Sequence, residues 1–306
     1  MKIGYPCINR SLACKGDRTF RLRSYSEERL QQTIRNNLDC LFHILRFNLD
    51  HGLLFFRISS DLIPFASHPV CLFPWQTVFQ NRFEEIGRFI MKNDMRISMH
   101  PDQFIVLNTP REDVFQRSVE EIAYHAKVLD LMGLDTSAKI QLHVGGVYGE
   151  KSKSMMRFVN RFQSLDDSLK RRLVIENDEK SYSIQDCLLI HHKIKIPVLF
   201  DYFHHTLRNN NESLGHVLES CKKTWMEKDG VPMVDYSSQK PYMAKGAHAE
   251  HLDRSDFAGF LFESKPYDFD VMLEIKDKER SAIEALTLVE SDIRLIRSNQ
   301  QGVFYG

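Results

Sequence analysis

Eight short apolar runs are spaced along this chain, and six of them end on an ionisable side chain. MRISMH closes on His100, KIQLH on His143, RRLVIE on Glu176, PVLFD on Asp201, PMVD on Asp235 and VMLE on Glu274. The runs cover Lys2–Tyr5, Leu54–Ile58, Met95–Met99, Lys139–His143, Leu173–Glu176, Val198–Asp201, Pro232–Asp235 and Asp270–Glu274. Most are apolar on consecutive residues, the pattern of strands buried on both faces of a parallel sheet. A charge inside such a strand is costly unless it is paired or bound to a metal, whereas a charge where the strand leaves its sheet is cheap. One polar strand end is a turn residue; six that mix imidazole with carboxylate point to a metal centre.

Longer amphipathic stretches separate the runs: Ser26–His51, Pro74–Lys92, Glu112–Met132, Lys151–Lys170, Ser183–His192, Ser213–Lys228, Arg254–Ser264 and Lys278–Arg297. Ser26 suits an N-cap, Pro74 a first helical turn and Gly133 a helix stop. Eight strands each followed by a helix predict an α/β fold of the (β/α)8 barrel type. An open doubly wound sheet produces the same alternation, but no glycine-rich dinucleotide fingerprint follows Lys2–Tyr5. With no internal repeat, linker or low-complexity segment, residues 1–306 read as one domain.

In a barrel all eight strands point the same way, so their C-terminal ends surround one mouth. The six polar ends then converge, and the four carboxylates Glu176, Asp201, Asp235 and Glu274 raise one another's pKa unless cations offset them. The alternative is that half of these residues only hold loops through hydrogen bonds. His204 follows Asp201 by three residues, a spacing that sends both side chains to one cluster, while the adjacent His205 faces elsewhere. His248 lies in KGAHAEHL after the seventh run, with Glu250 and His251 as competitors for its role. His191 and His192 suit a helix C-terminus. His43, His51, His125 and His216 read as structural or surface residues, and His68 sits in a loop after the second run.

Nitrogen and oxygen donors without thiolate suit Mn²⁺, Zn²⁺ or Fe²⁺, and Mg²⁺ less well because imidazole ligates it poorly. Several close cations can clamp both oxygens of an in-line phosphoryl displacement, or hold a sugar for isomerisation. Lys+Arg and Asp+Glu are equal at 41 each, so there is no global basic charge and a nucleic acid would need a local patch. Basic residues recur after several runs: Arg10, Lys15, Arg18, Arg21 and Arg23, then Lys151 and Lys153, Lys240 and Lys245, and Lys276 and Lys278. Tyr5, Phe104, Tyr148, Tyr236 and Tyr242 are candidates for stacking on bases.

Six scattered cysteines without CxxC spacing read as free thiols in a reducing compartment. The start, MKIGYPCINRSL, lacks an apolar signal core, and no run of 18 apolar residues exists, so an intracellular, cytoplasmic chain without membrane contact is expected.

From GYPCINRSL through ILRFNLDHGLLFFRISSDLIPFASHP, SMHPDQF, LHVGGVYGEK, RLVIENDEK, FDYFHHTLRN and GAHAEHL to VMLEIKDKE, nearly the whole chain resembles the ultraviolet damage endonucleases. These are relatives of endonuclease IV among the xylose-isomerase-like barrels. The resemblance implies a divalent-metal enzyme, characteristically manganese-loaded, that nicks damaged double-stranded DNA immediately 5′ of cyclobutane pyrimidine dimers and 6-4 photoproducts. It would leave a 3′-hydroxyl and a 5′-phosphate. Two or three ions would be held, with Zn, Co or Mg as alternatives to Mn. The family's ligands fall on His100, His143, Glu176, Asp201, His204, His248 and Glu274. His100, His143 and Glu176 would form one site; Glu176, Asp201 and Glu274 would share a second; His204 and His248 would hold a third. His100, His143, Glu176, Asp201 and Glu274 would carry the chemistry. Gln103 matches the glutamine that probes the disturbed base pair, and Phe104 keeps the stacking face of a family tyrosine. Tyr5, Asn9 and His68 match residues that cradle flipped nucleotides, and Lys276 lies beside the final glutamate.

One segment departs from the family. Its Lys-apolar-His at the end of the seventh strand is here Met233, Val234 and Asp235. Asp235 is expected as an eighth ligand, at the second metal; the alternative is a cap hydrogen-bonded to Ser237 or Ser238. Met233 reads as strand packing. A monomer is expected. An abasic-site endonuclease of the endonuclease IV type, a sugar isomerase and a non-catalytic damage-binding protein remain as alternatives.

Overall fold

Residues 1–296 are described by the computed structural model. The apolar runs form strands that are buried residue by residue, His143 alone being half-buried. In chain order the elements are β1 (Ile3–Pro6), α1 (Glu27–Asp50), β2 (Phe55–Ile58), α2 (Trp75–Val78), α3 (Gln80–Lys92), β3 (Arg96–Met99), α4 (Glu112–Leu131), β4 (Lys139–His143), α5 (Lys151–Ser164), α6 (Asp167–Lys170) and β5 (Leu173–Glu176). They continue as α7 (Ile184–Ile194), β6 (Val198–Asp201), α8 (Tyr202–Leu207), α9 (Leu214–Lys222), β7 (Met233–Tyr236), α10 (Arg254–Glu263), β8 (Asp270–Leu273) and α11 (Glu279–Val289). Each strand pairs in parallel with the next, and β8 returns to β1, closing a (β/α)8 barrel.

The ends of elements differ from the sequence expectation where local chemistry intervenes. Pro74–Lys92 breaks at Phe79 into α2 and α3, and Lys151–Lys170 breaks between α5 and α6. The stretch from Ser213 gives α9 and then a short 3₁₀ turn at Glu227–Asp229 that ends at Gly230, φ 75°. The last helix stops at Val289, short of the expected Arg297, which lies outside the described residues. Ser26 does cap α1, accepting from the Arg29 amide at 3.2 Å, and Gly133 takes φ 69° just past α4.

Side chains two apart on a strand face the same side, and this builds the barrel interior in layers. Arg96 and Asp270 pair at 3.2 Å, and Lys139 and Asp229 at 2.5 Å, at the N-terminal rim. Above them Phe55, Val174, Leu199, Met233 and Met272 form an apolar plug. Gly4 of β1 borders it because a Cβ there would meet the Phe55 carbonyl oxygen at 2.0 Å. Two residues further along their strands stand Arg57, Glu176, Asp201, Asp235 and Glu274, so the plug is the floor of the polar mouth. The outer core is made where apolar helix faces, such as Leu30, Ile34, Leu38, Leu41 and Leu45 of α1, cover the strands.

The expectation of six free thiols is corrected by a disulfide between Cys14 and Cys40, whose Cα atoms are 5.6 Å apart. The segment after β1 folds back along α1, where Asn37 accepts from the Arg18 amide at 3.1 Å and donates to the Arg18 carbonyl at 2.9 Å. That return brings together cysteines 26 positions apart. Cys7, Cys71, Cys187 and Cys221 are free. Among the described residues no helix is long and apolar enough to cross a membrane.

Candidate metal centre

Strand register builds the centre. His143 and Glu176 are partners across β4 and β5, and Asp201 and Asp235 across β6 and β7. His100 follows the last residue of β3 and Glu274 the last residue of β8. Asp201 also caps α8, accepting from the His204 amide at 2.7 Å, and this turns His204 back so that its Nδ1 lies 3.1 Å from Asp201 Oδ2. Among the described residues three groups have donor atoms within 4.8 Å of one another: His100, His143 and Glu176; Glu176, Asp201 and His204; and Asp201, Asp235 and Glu274. Glu176 and Asp201 each belong to two groups.

The grouping differs from the one the resemblance implies. His204 joins Glu176 and Asp201 rather than His248. His248 Nδ1 is 2.9 Å from the Glu274 carbonyl, and its ring centre is 6.1 Å from that of His204, so it borders the centre without entering a group. Its competitors turn away: Glu250 pairs with Lys240 at 3.0 Å and His251 with Asp277 at 2.9 Å. His205 packs against Phe200, as its position beside His204 suggests.

Burial raises the Glu176 carboxyl, but His143 and His100 outweigh it and hold the group well below the usual carboxylate range. Burial also raises Glu274, and Arg57 and His248 pull it down to about 2. Asp201 is pushed well up by burial and by Glu274 and Asp235. Asp235 reaches about 7 because burial exceeds the opposing pull of Arg57. Such crowding favours a bound cation.

The donor chemistry fits one. His100 Nε2 and His143 Nδ1 lie 2.9 and 3.2 Å from Glu176 Oε1. Yet neither Glu176 Oε1 nor His143 Nδ1 completes a hydrogen bond. Two imidazole nitrogens and a carboxylate oxygen gathered this closely, with little hydrogen bonding among them, suit a divalent ion. No cysteine enters these groups, which leaves the hard and borderline ions.

The cleft above measures about 450 Å³ and is lined by His100, Gln103, His143, His248, Glu274 and Lys276 among others. Gln103 and Phe104 are exposed on the loop after β3, Phe104 by 72%. Lys276 is exposed on the loop after β8, and His68 is exposed with its Nδ1 accepting from the Val70 amide. Tyr5 and Asn9 lie beneath the surface. Tyr5 is fully buried, its hydroxyl donating to Asn48 and accepting from Asn9, while Asn9 Oδ1 holds the amides of Ser11 and Leu12. Both brace the loop after β1. Tyr236 is likewise buried, bonded to Asp256, whereas Tyr148 and Tyr242 are exposed. Lys151, Lys153 and Lys240 are matched by Asp186, Glu150 and Glu250; Arg10, Lys15, Arg18, Arg21 and Arg23 form an exposed basic stretch after β1.

The profile of the family described as UvdE, UV-endonuclease UvdE, matches residues 1–302. The chain belongs to the UvdE family. It is 40% identical over 300 residues to a UV DNA damage endonuclease of Clostridium perfringens (strain 13 / Type A), covering 97% of this chain and 73% of that protein. It superposes on the crystal structure of SacUVDE with a TM-score of 0.91 at 45% identity, covering 95% and 98% of the two chains. Endonuclease IV from Thermus thermophilus shares the fold, with a TM-score of 0.57 at 16% identity over 82% of this chain and 93% of that one.

Two residues of this UvdE chain escaped the sequence reading. Arg57 and Gln141 point into the barrel directly below the mouth and touch its carboxylates. Their signal was present: a polar residue inside FFRI, and one two positions before His143 in KIQLH. Of the two serines considered as cap partners of Asp235, Ser237 donates its Oγ to the Glu274 carbonyl instead, and Asp235 accepts from Arg57 and Gln141.

Proposed function

We propose that this chain is a divalent-metal-dependent endonuclease that nicks double-stranded DNA immediately 5′ of ultraviolet photoproducts, leaving a 3′-hydroxyl and a 5′-phosphate. The observation that carries the reading is Glu176, shared by an imidazole-rich group and a carboxylate-rich group, in a chain so similar to named UV DNA damage endonucleases. His100, His143, Glu176, Asp201, His204, His248 and Glu274 are the residues to hold two or three ions, Mn²⁺ first and Zn²⁺, Co²⁺ or Mg²⁺ as substitutes. Bound there, divalent cations supply charge stabilisation to the oxygens of an in-line phosphoryl displacement.

The chain's own residues do the rest. Glu176 fixes the spacing between the two groups that share it. Lys276 and the half-buried Lys278 offset phosphate charge at the mouth. A phosphate beside stacked bases reaches a barrel mouth only if the duplex bends or opens, and a photoproduct lowers that cost. The exposed Gln103 and Phe104 fill the gap, with His68 on the same rim. The chain acts as a cytoplasmic monomer of one domain.

The test is a duplex carrying one defined photoproduct, incubated with Mn²⁺ or with chelator, its products mapped at both ends. Manganese-dependent nicking at the 5′ side is expected. Cleavage only at abasic sites would select the endonuclease IV reading, ketose–aldose turnover the isomerase, and binding without nicking a damage-recognition protein.

A further inference from the structure

The Asp201–Asp235–Glu274 group differs from the other two in what already fills it. Arg57 rises from β2 into the barrel and is 2% exposed. Its Nη2 donates to Asp235 Oδ1 at 2.7 Å and Oδ2 at 2.8 Å, and to Gln141 Oε1 at 2.7 Å. Its Nη1 donates to Glu274 Oε1. Gln141 Nε2 donates to Asp235 Oδ2 and to Glu176 Oε2, both at 2.6 Å. Two of the three carboxylates in this group are therefore bonded to one buried guanidinium, and Asp235 accepts bonds at both oxygens. In the His100–His143–Glu176 group, by contrast, Glu176 Oε1 faces two imidazole nitrogens, His100 Nε2 at 2.9 Å and His143 Nδ1 at 3.2 Å, and no guanidinium bonds to it.

We propose that the guanidinium of Arg57 is the resident cation of the Asp201–Asp235–Glu274 group, so that Asp235 answers Arg57 and does not ligate a divalent ion. A metal ion bonded to Asp235 and Glu274 would stand within a few ångströms of a fixed positive charge, in an interior that screens poorly. The guanidinium is always charged and presents its donors in a rigid plane, which suits it to this place better than an ammonium on a flexible stem. Divalent ions then go to the two groups that contain Glu176. Glu274 turns its other oxygen, Oε2, toward His248 Nδ1 at 4.0 Å on the mouth side, and from there this pair can still reach an ion held beside Glu176. Gln141 carries the arrangement across the barrel by tying Asp235 to Glu176, so Arg57 is a positioning residue for the centre.

This inference rests on the metal-centre reading above, and manganese counting separates the two. The full-length chain is dialysed against Mn²⁺ and bound manganese is measured per folded chain, with thermal melting followed in chelator and in Mn²⁺. Asp235→Asn is expected to bind as many ions as the wild type while melting lower in both conditions. Arg57→Gln is expected to bind one more ion, or to fold only when manganese is present, because a divalent ion then takes the vacated place. Arg57→Met combined with Asp235→Met removes both charges and is expected to keep the wild-type number. Loss of an ion from Asp235→Asn or from the double variant, or no gain by a folded Arg57→Gln, overturns the proposal while leaving the centre intact. A wild-type chain that binds no manganese overturns both.

Discussion

His143 and Glu176 are register partners at the ends of adjacent parallel strands, and His143 Nδ1 lies 3.2 Å from a Glu176 oxygen with which it makes no hydrogen bond. Neighbouring strands are separated by about 4.8 Å, so this meeting follows from the ladder itself. Glu176 also accepts from Gln141 at 2.6 Å and lies beside Asp201 and His204.

Replacing Glu176 by Gln keeps the shape and removes the shared negative ligand. Nicking of photoproduct duplex is expected to fall by at least about 100-fold, more than the usual effect of losing a residue outside the ligand shell. Stability should change by less than ~2 kcal/mol in urea melts. Near-normal cleavage would remove Glu176 from its bridging role.

Gln103 and Phe104 are exposed at the mouth without a packing role that explains them. The double change Gln103→Ala with Phe104→Ala should weaken binding to photoproduct duplex by roughly tenfold or more, since stacking on one base contributes ~1–3 kcal/mol. Undamaged duplex should be affected much less. Equal losses on the two duplexes, measured by fluorescence anisotropy at one salt concentration, would assign the pair to general phosphate contact.

His125 gives a pH signature from a histidine outside the candidate ligand set. It is fully buried on α4, its Nδ1 2.7 Å from the Glu121 carbonyl and its Nε2 3.0 Å from Ser60 Oγ. Burial lowers it from 6.5 to about 4. Above pH 6.5 it is neutral in both folded and unfolded chains, and its contribution is fully present. Below that, the unfolded chain takes up a proton that the folded chain refuses, so stability is lost as pH falls toward 4. The stability advantage of wild type over His125→Gln should shrink by ~2 kcal/mol between pH 7 and pH 5, at about 1.4 kcal/mol per pH unit. A gap that does not move with pH would show that His125 takes a proton inside the fold.

Several features were legible along the chain because they are local. Consecutive apolar residues announced strands buried on both faces, and the helices between them could be seen from their period and from caps such as Ser26. The polar ends of six runs announced a mouth, since parallel closure sends every C-terminal end to one side. Other features depend on which strands face each other across the closed barrel, and no local pattern encodes that. Arg57 drew no notice inside FFRI, because its partners Asp235 and Glu274 lie 178 and 217 positions away and meet it only when the barrel closes. Tyr5 and Asn9 matched mouth residues by resemblance, and only the packing shows that they bond to each other and, through Tyr5, to Asn48. Cys14 and Cys40 were joined by a loop that returns along α1, a path set by Asn37 and not by cysteine spacing. The sequence by itself determined the barrel and the residue types at its mouth, because period and polarity act over a few neighbours. Which carboxylate stands before an open pair of imidazoles and which before a guanidinium was decided only by the tertiary structure, because ion pairing in a low-dielectric interior depends on distances across the fold.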